Sequence, residues 1–150
     1  SMNTKGPQDC YEARARDSLV EVAIPTHPHQ LQAGSVVALR TRGHDAENGP
    51  ARDDPEASSY KNSAKAGSKL VPIFRDNVGY WQLGVAACKE TFAWDPCSQF
   101  IVMKDKRRFG FRSGVADGKT LQANRGWDLA FRGYNFKSWE SWQLSGNLAR

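Results

Sequence analysis

Closely spaced turn signals set the tightest limit on what this chain can fold into. After Lys69, glycine, proline and Asp-Pro or Asp-Gly breaks (Gly79, Asp95-Pro96, Asp117-Gly118, Gly126) punctuate the sequence, and short apolar runs recur among them at the roughly eight- to twelve-residue spacing typical of all-β domains. The apolar runs between them are too short for helices. They are Leu70-Val71-Pro72-Ile73-Phe74, Tyr80-Trp81-Gln82-Leu83 with Val85, Thr91-Phe92-Ala93-Trp94, Gln99 to Met103, Arg108 to Arg112, Lys119 to Ala123, Leu129 with Phe131, and Trp139 to Leu144. No segment sustains a 3.6-residue period, whereas Phe109/Phe111 and Leu121/Ala123 alternate with a period of two, the mark of strands with one buried face. Pro72 places its strand at an edge or bulge, because proline cannot donate to a ladder. Asp117-Gly118 predicts a type I′ hairpin, whose two central residues both need positive φ.

The first half is sparser. Leu19, Val20, Val22 and Ile24 form a β-branched run stopped by Pro25, and Val36 to Leu39 a second run launched from Ala33-Gly34. Residues 1–17 are polar without periodicity and read as a flexible N-terminal arm, with Ser1-Met2 resembling the scar of an expression tag. Residues 43–68 hold Gly43, Gly49, Pro50, Pro55 and Gly67 among serines, with Tyr60 as the large apolar residue, and read as a long polar insertion. The expected organisation is one β domain over 18–150 carrying that insertion. A chain of 150 residues is long enough to bury a core without staples.

The net charge of +5 matters less than its distribution. Between Gly43 and Ser59, Asp45, Glu47, Asp53, Asp54 and Glu56 face Arg52, a local balance of −4. Between Lys104 and Arg112, Lys104, Lys106, Arg107, Arg108 and Arg112 face Asp105, a balance of +4. No apolar run approaches the length of a membrane span, and no signal-peptide pattern opens the chain. Cys88 and Cys97 bracket a short segment that a disulfide can close in an oxidising compartment, leaving Cys10 over; reduced thiols in a cytosolic protein fit equally well, so localisation stays open. His27-Pro28-His29 and His44 do not assemble a zinc ligand set at workable spacing. Neither a phosphate loop nor a nucleophile elbow is present, and the expectation is a domain without metal or cofactor.

The sequence also echoes itself. Leu70 to Arg75 followed by Gly79 to Leu83 parallels Leu129 to Arg132 followed by Trp139 to Leu144, and Val37 to Arg40 parallels Phe109 to Arg112. Small strand units that cannot bury a face alone are expected to close around a shared axis. The C-terminal unit, Phe109-Gly-Phe-Arg-Ser113, Asp117-Gly-Lys119, Leu121-Gln-Ala123, Leu129-Ala-Phe131 and Trp139-Glu-Ser-Trp142, resembles one repeat of the fascin-like β-trefoil. That repeat runs through a strand ending in Leu-Arg, a Gly-Lys hairpin, Leu-x-Ala and a closing Trp-Glu-x-aromatic. Here Thr120 stands where the family places an aromatic residue. The resemblance covers residues 108–144 and implies a β-trefoil-like barrel of short antiparallel strands, with a jelly-roll β-sandwich as the alternative. It further implies binding, to carbohydrate or actin, rather than catalysis.

Carbohydrate recognition needs an apolar ring face beside short polar groups. The turn residues Asn124, Arg125, Trp127 and Asp128, and the loop Tyr134-Asn135 leading to Trp139, supply both and are the expected ligand-binding set; Trp81 and Trp142 belong to the core. A glycan is therefore the expected partner. A second reading uses Lys104, Lys106, Arg107, Arg108 and Arg112 as a basic surface for actin, an anionic polysaccharide or nucleic acid. If Phe109 and Phe111 enter the core, however, that surface has no base-stacking platform. A third is a carbohydrate-active enzyme using acids such as Asp95 and Asp128 beside tryptophans.

Overall fold

The computed structural model describes residues 9–16, 18–24, 31–41, 70–85, 99–124 and 128–145. The His27, His29, His44, Cys88 and Cys97 expectations, the 43–68 insertion, the Thr91 to Trp94 run, and Arg125 and Trp127 lie outside the described residues. The fold is all-β: the described strands are β1 (Asp9–Ala15), β2 (Ser18–Ile24), β3 (Val36–Thr41), β4 (Leu70–Arg75), β5 (Tyr80–Val85), β6 (Phe100–Asp105), β7 (Arg108–Ser113), β8 (Lys119–Ala123), β9 (Leu129–Gly133) and β10 (Gln143–Ser145). They form one antiparallel sheet in the order β10-β1-β2-β3-β6-β7-β8-β9-β5-β4. Among the described residues no helix is long and apolar enough to cross a membrane.

The sheet curls on itself. β4 ends the order, as its proline requires, yet lies against β3 in the middle. At the other end, Trp142 precedes β10 and bridges to Phe109 of β7, with the Trp142 N–H donating to the Phe109 carbonyl at 2.7 Å and the Phe109 N–H donating back at 3.0 Å. The curl encloses one core, in which Val20, Val22, Leu39, Leu70, Leu83, Phe100, Phe111, Leu121, Leu129, Phe131 and Trp142 are all buried. Phe111 meets Trp142 edge-on at 5.9 Å between ring centroids. The Trp142 indole N–H donates to the Leu121 carbonyl at 3.4 Å, so its polar end is satisfied where it is buried. Trp81 packs against the same core and meets Phe74 edge-on.

Several expectations need correcting. Residues 9–15, expected within a flexible arm, form β1 between β10 and β2. Tyr11, Ala13 and Ala15 alternate toward the core, but two of the three are alanines, too small to register as a hydrophobic period. The expected strand through Trp139 is instead a 3-10 turn over Ser138–Glu140, and only Gln143–Ser145 pairs as a strand. The echo between 70–83 and 129–144 is one of sequence, not of pairing: β4 and β5 form a hairpin, whereas β9 pairs with β8 and β5. Asp117 and Gly118 do take positive φ, 59° and 75°, and Lys119 N–H closes their turn onto the Ala116 carbonyl at 3.0 Å. The strands themselves close further out, at Ser113↔Lys119, so the hairpin loop has five residues rather than two.

The basic run is also rearranged. Asp105 pairs with Arg108 across β6 and β7, which puts Lys106 and Arg107 at the tip of a two-residue hairpin. Phe111 is core and Phe109 packs against it, so neither ring stands free. On the opposite face, a Cβ at Gly110 would lie 2.9 Å from Phe136 Cε1, which explains why glycine sits there. Arg108 holds Phe136 in place, with its guanidinium 4.6 Å from the ring centroid and Nη1 donating to the Phe136 carbonyl at 3.1 Å.

Candidate functional site

The outer face of β8, β9 and β5 carries a row of polar side chains. Strand alternation turns Leu121, Phe131 and Leu83 inward and leaves Gln122, Arg132 and Gln82 outward. The register aligns Gln122, Ala130 and Gln82 across the three strands. Asp128, two residues before Ala130, reaches the same face. Its carboxylate accepts from Gln82 Nε2 at 2.8 Å, Tyr80 Oη at 3.1 Å and Asn124 Nδ2 at 3.1 Å. Asn124 Oδ1 in turn accepts from Gln122 Nε2 at 2.7 Å. This chain of bonds fixes which way the Gln122 amide points, because each donor is matched to one acceptor.

Gln122 is where that network meets a cavity. An open groove of about 510 Å³ is lined by Gln122, Arg132, Asn135, Lys137, Ser138, Trp139 and Glu140. Arg132 connects groove and network, its guanidinium lying 4.6 Å over the Tyr80 ring. The Tyr80 hydroxyl is held above its ordinary pKa of 10.0, first by burial and then by the adjacent Asp128 charge and hydrogen bond, with Arg132 opposing.

The groove's other wall is built by the 3-10 turn. Glu140 is buried, and its Oε1 accepts the Lys137 N–H at 2.8 Å. Ser141 Oγ donates to the Lys137 carbonyl at 2.6 Å. Tied at both ends, the turn holds the Trp139 indole outward at 45% exposure, with the Arg16 guanidinium 4.6 Å from its ring centroid. A second cavity of about 450 Å³ is bordered by Lys104, Lys106, Arg107 and Phe109. A third, of about 560 Å³, lies between the β1–β2 and β6–β7 hairpin tips.

The sequence-predicted residues therefore divide. Asn135 and Trp139 line the groove, while Asn124 and Asp128 bond to each other and orient its floor. Tyr134 is exposed beside Asn135 but not among the lining residues. Lys104, Lys106, Arg107 and Arg108 stay together around the β6–β7 tip, while Arg112 is exposed and borders none of the three cavities. Sequence reasoning missed Gln122, Arg132, Glu140, Tyr80 and Gln82. The available signal was an amide between two apolar residues, as in Trp81-Gln82-Leu83 and Leu121-Gln122-Ala123. Among the described residues no group of three His, Cys, Asp or Glu side chains is placed to hold a metal ion.

An all-β domain with an aromatic-walled polar groove is thus the class that fold and site define. No protein-family model matches the chain. It is 46% identical over 55 residues to C-terminal binding protein AN of Arabidopsis thaliana, a stretch that covers 36% of this chain and only 9% of that protein. Among solved structures it is similar to the designed threefold-symmetric protein ThreeFoil, with a TM-score of 0.39 and 13% identity over 91% of this chain and 98% of that one. The all-β class rests on the strand pairing itself.

Proposed function

We propose that this domain is a non-catalytic binding module that recognises carbohydrate in the groove walled by Trp139. One observation carries the reading. An indole held outward by a tied turn borders a groove also lined by Gln122, Asn135, Ser138, Glu140 and the cations Arg132 and Lys137. The indole offers a flat face to sugar C–H groups, and the amides and carboxylate offer paired donors and acceptors to hydroxyls. The bonds from Asp128 through Asn124 to Gln122 support this reading, since an amide oriented before binding costs less to engage. The likeness of residues 108–144 to a fascin-like trefoil repeat supports a binding role in general.

A glycan array with the purified domain tests the proposal. Binding to a defined set of glycans is expected, lost in Trp139→Ala while the thermal melting curve is kept. A domain that binds no glycan, or a Trp139→Ala variant that binds as well as the parent, refutes it.

A further inference from the structure

The cavity beside this groove is lined by arginines from two distant parts of the chain. β1 turns into β2 at Arg16 and β6 into β7 at Lys106 and Arg107, and Arg16 and Lys106 both hold positive φ, 52° and 57°. Between these tips, about 560 Å³ of space is bordered by Arg14, Arg16, Arg107 and Arg108, with the Ser138 and Ser141 hydroxyls. Arg108 is committed: its Nη1 donates to the Phe136 carbonyl and Ser141 Oγ at 3.1 Å each, and its Nη2 pairs with Asp105 at 2.8 Å. Arg14, Arg16 and Arg107 are exposed, and among the described residues no carboxylate pairs with them. Guanidinium groups gathered around one cavity repel one another, a cost that a bound anion offsets. Their forked donors suit the oxygens of sulfate, phosphate and carboxylate.

This cavity and the groove are neighbours. Ser138 borders both. Trp139 lines the groove and carries the Arg16 guanidinium 4.6 Å from its ring centroid, while Arg16 lines the arginine cavity. The geometry points to a glycan bearing anionic substituents, with a sugar ring on Trp139 and a sulfate, phosphate or carboxylate group between Arg14, Arg16 and Arg107. This assignment rests on the carbohydrate reading of the groove and specifies its ligand class. A nucleic acid fits less well. Single-stranded binding needs a series of open aromatic faces, and of the aromatic side chains that line the two cavities Trp139 is exposed while Trp142 is buried.

The test compares a sulfated hexasaccharide with its chemically desulfated counterpart and with a single-stranded oligonucleotide of equal charge, by titration calorimetry. The sulfated sugar is expected to bind at least tenfold more tightly than the desulfated one. In Arg14→Gln/Arg107→Gln that ratio should fall toward one, whereas Arg112→Gln/Lys119→Gln, which removes the same charge away from the cavity, should keep it. Equal affinity for the two sugars overturns the anionic class while leaving the groove reading intact. Loss of the ratio in both double variants reduces the effect to net charge and overturns the cavity assignment. Absence of binding to either sugar overturns the groove reading and this inference together. An oligonucleotide that binds more tightly than the sulfated sugar, with affinity unchanged in Trp139→Ala, overturns the inference in favour of nucleic acid.

Discussion

Removing the Asp128 carboxylate should destabilise the domain by about 2–3 kcal/mol, a figure set by the bonds it accepts. The bond from Gln82, at 2.8 Å and from a side chain only 8% exposed, is a charge-assisted contact worth about 1.5–2 kcal/mol. Those from Tyr80 and Asn124, both 3.1 Å and half-buried, are partly replaced by water when lost and add about 0.5–1 kcal/mol each. Relief of the carboxylate's own desolvation trims the total. For a chain of 150 residues this corresponds to a fall in Tm on the order of 10 °C. Asp128→Asn keeps one acceptor oxygen and should cost about half as much. Urea denaturation of Asp128→Ala, Asp128→Asn and the parent at neutral pH measures the series. An Asp128→Ala midpoint within about 0.5 kcal/mol of the parent would show that the network is dispensable, and the orienting role given to it would be wrong.

Three further outcomes follow from the geometry. Gly110→Ala places a methyl 2.9 Å from the Phe136 ring and 3.4 Å from the Glu140 carbonyl; the displaced ring should cost about 1–2 kcal/mol, read by denaturant midpoint. Arg108→Lys keeps the charge but cannot reach the Phe136 carbonyl, Ser141 Oγ and Asp105 together, and should cost about 1–2 kcal/mol; an unchanged melting curve would mean that Arg108 is not the strut between β7 and the 3-10 turn. Tyr80 binds its proton more tightly folded than unfolded. Its contribution to stability is therefore complete below the ordinary value of 10.0 and is lost as pH rises through the raised folded value. Phenolate absorbance should show Tyr80 titrating at lower pH in Asp128→Asn than in the parent, with Tyr80→Phe identifying its signal.

The fold was legible where apolar side chains are large and alternate. β2, β3 and β4 to β9 follow from runs such as Val20/Val22 and Leu121/Ala123, and Pro72 announced an edge strand that the sheet order bears out. β1 was not legible, because Ala13 and Ala15 are buried completely or nearly so yet contribute little hydrophobic signal. The extended reading of Trp139 failed for a different reason. The 3-10 turn is held by Glu140 and Ser141 reaching back to the Lys137 backbone, and such polar closures leave no periodicity. The groove was half legible: Asn135 and Trp139 stood out as an amide and an aromatic in a loop. Gln122 and Arg132 did not, because their role depends on which strands become neighbours. The basic run was visible as charge, but its partners Arg14, in β1, and Arg16, in the turn after it, are far away in sequence and adjacent only through the fold.

The central claim is that Trp139 is the face on which a sugar ring rests. Two-dimensional NMR of the indole N–H groups tests it most directly, by titrating the tightest-binding glycan from the array. The account predicts that the Trp139 signal, assigned by its absence in Trp139→Phe, shifts progressively and saturates. The Trp142 signal, buried and bonded to the Leu121 carbonyl, should stay in place. A glycan that binds while the Trp139 signal does not move contradicts the account.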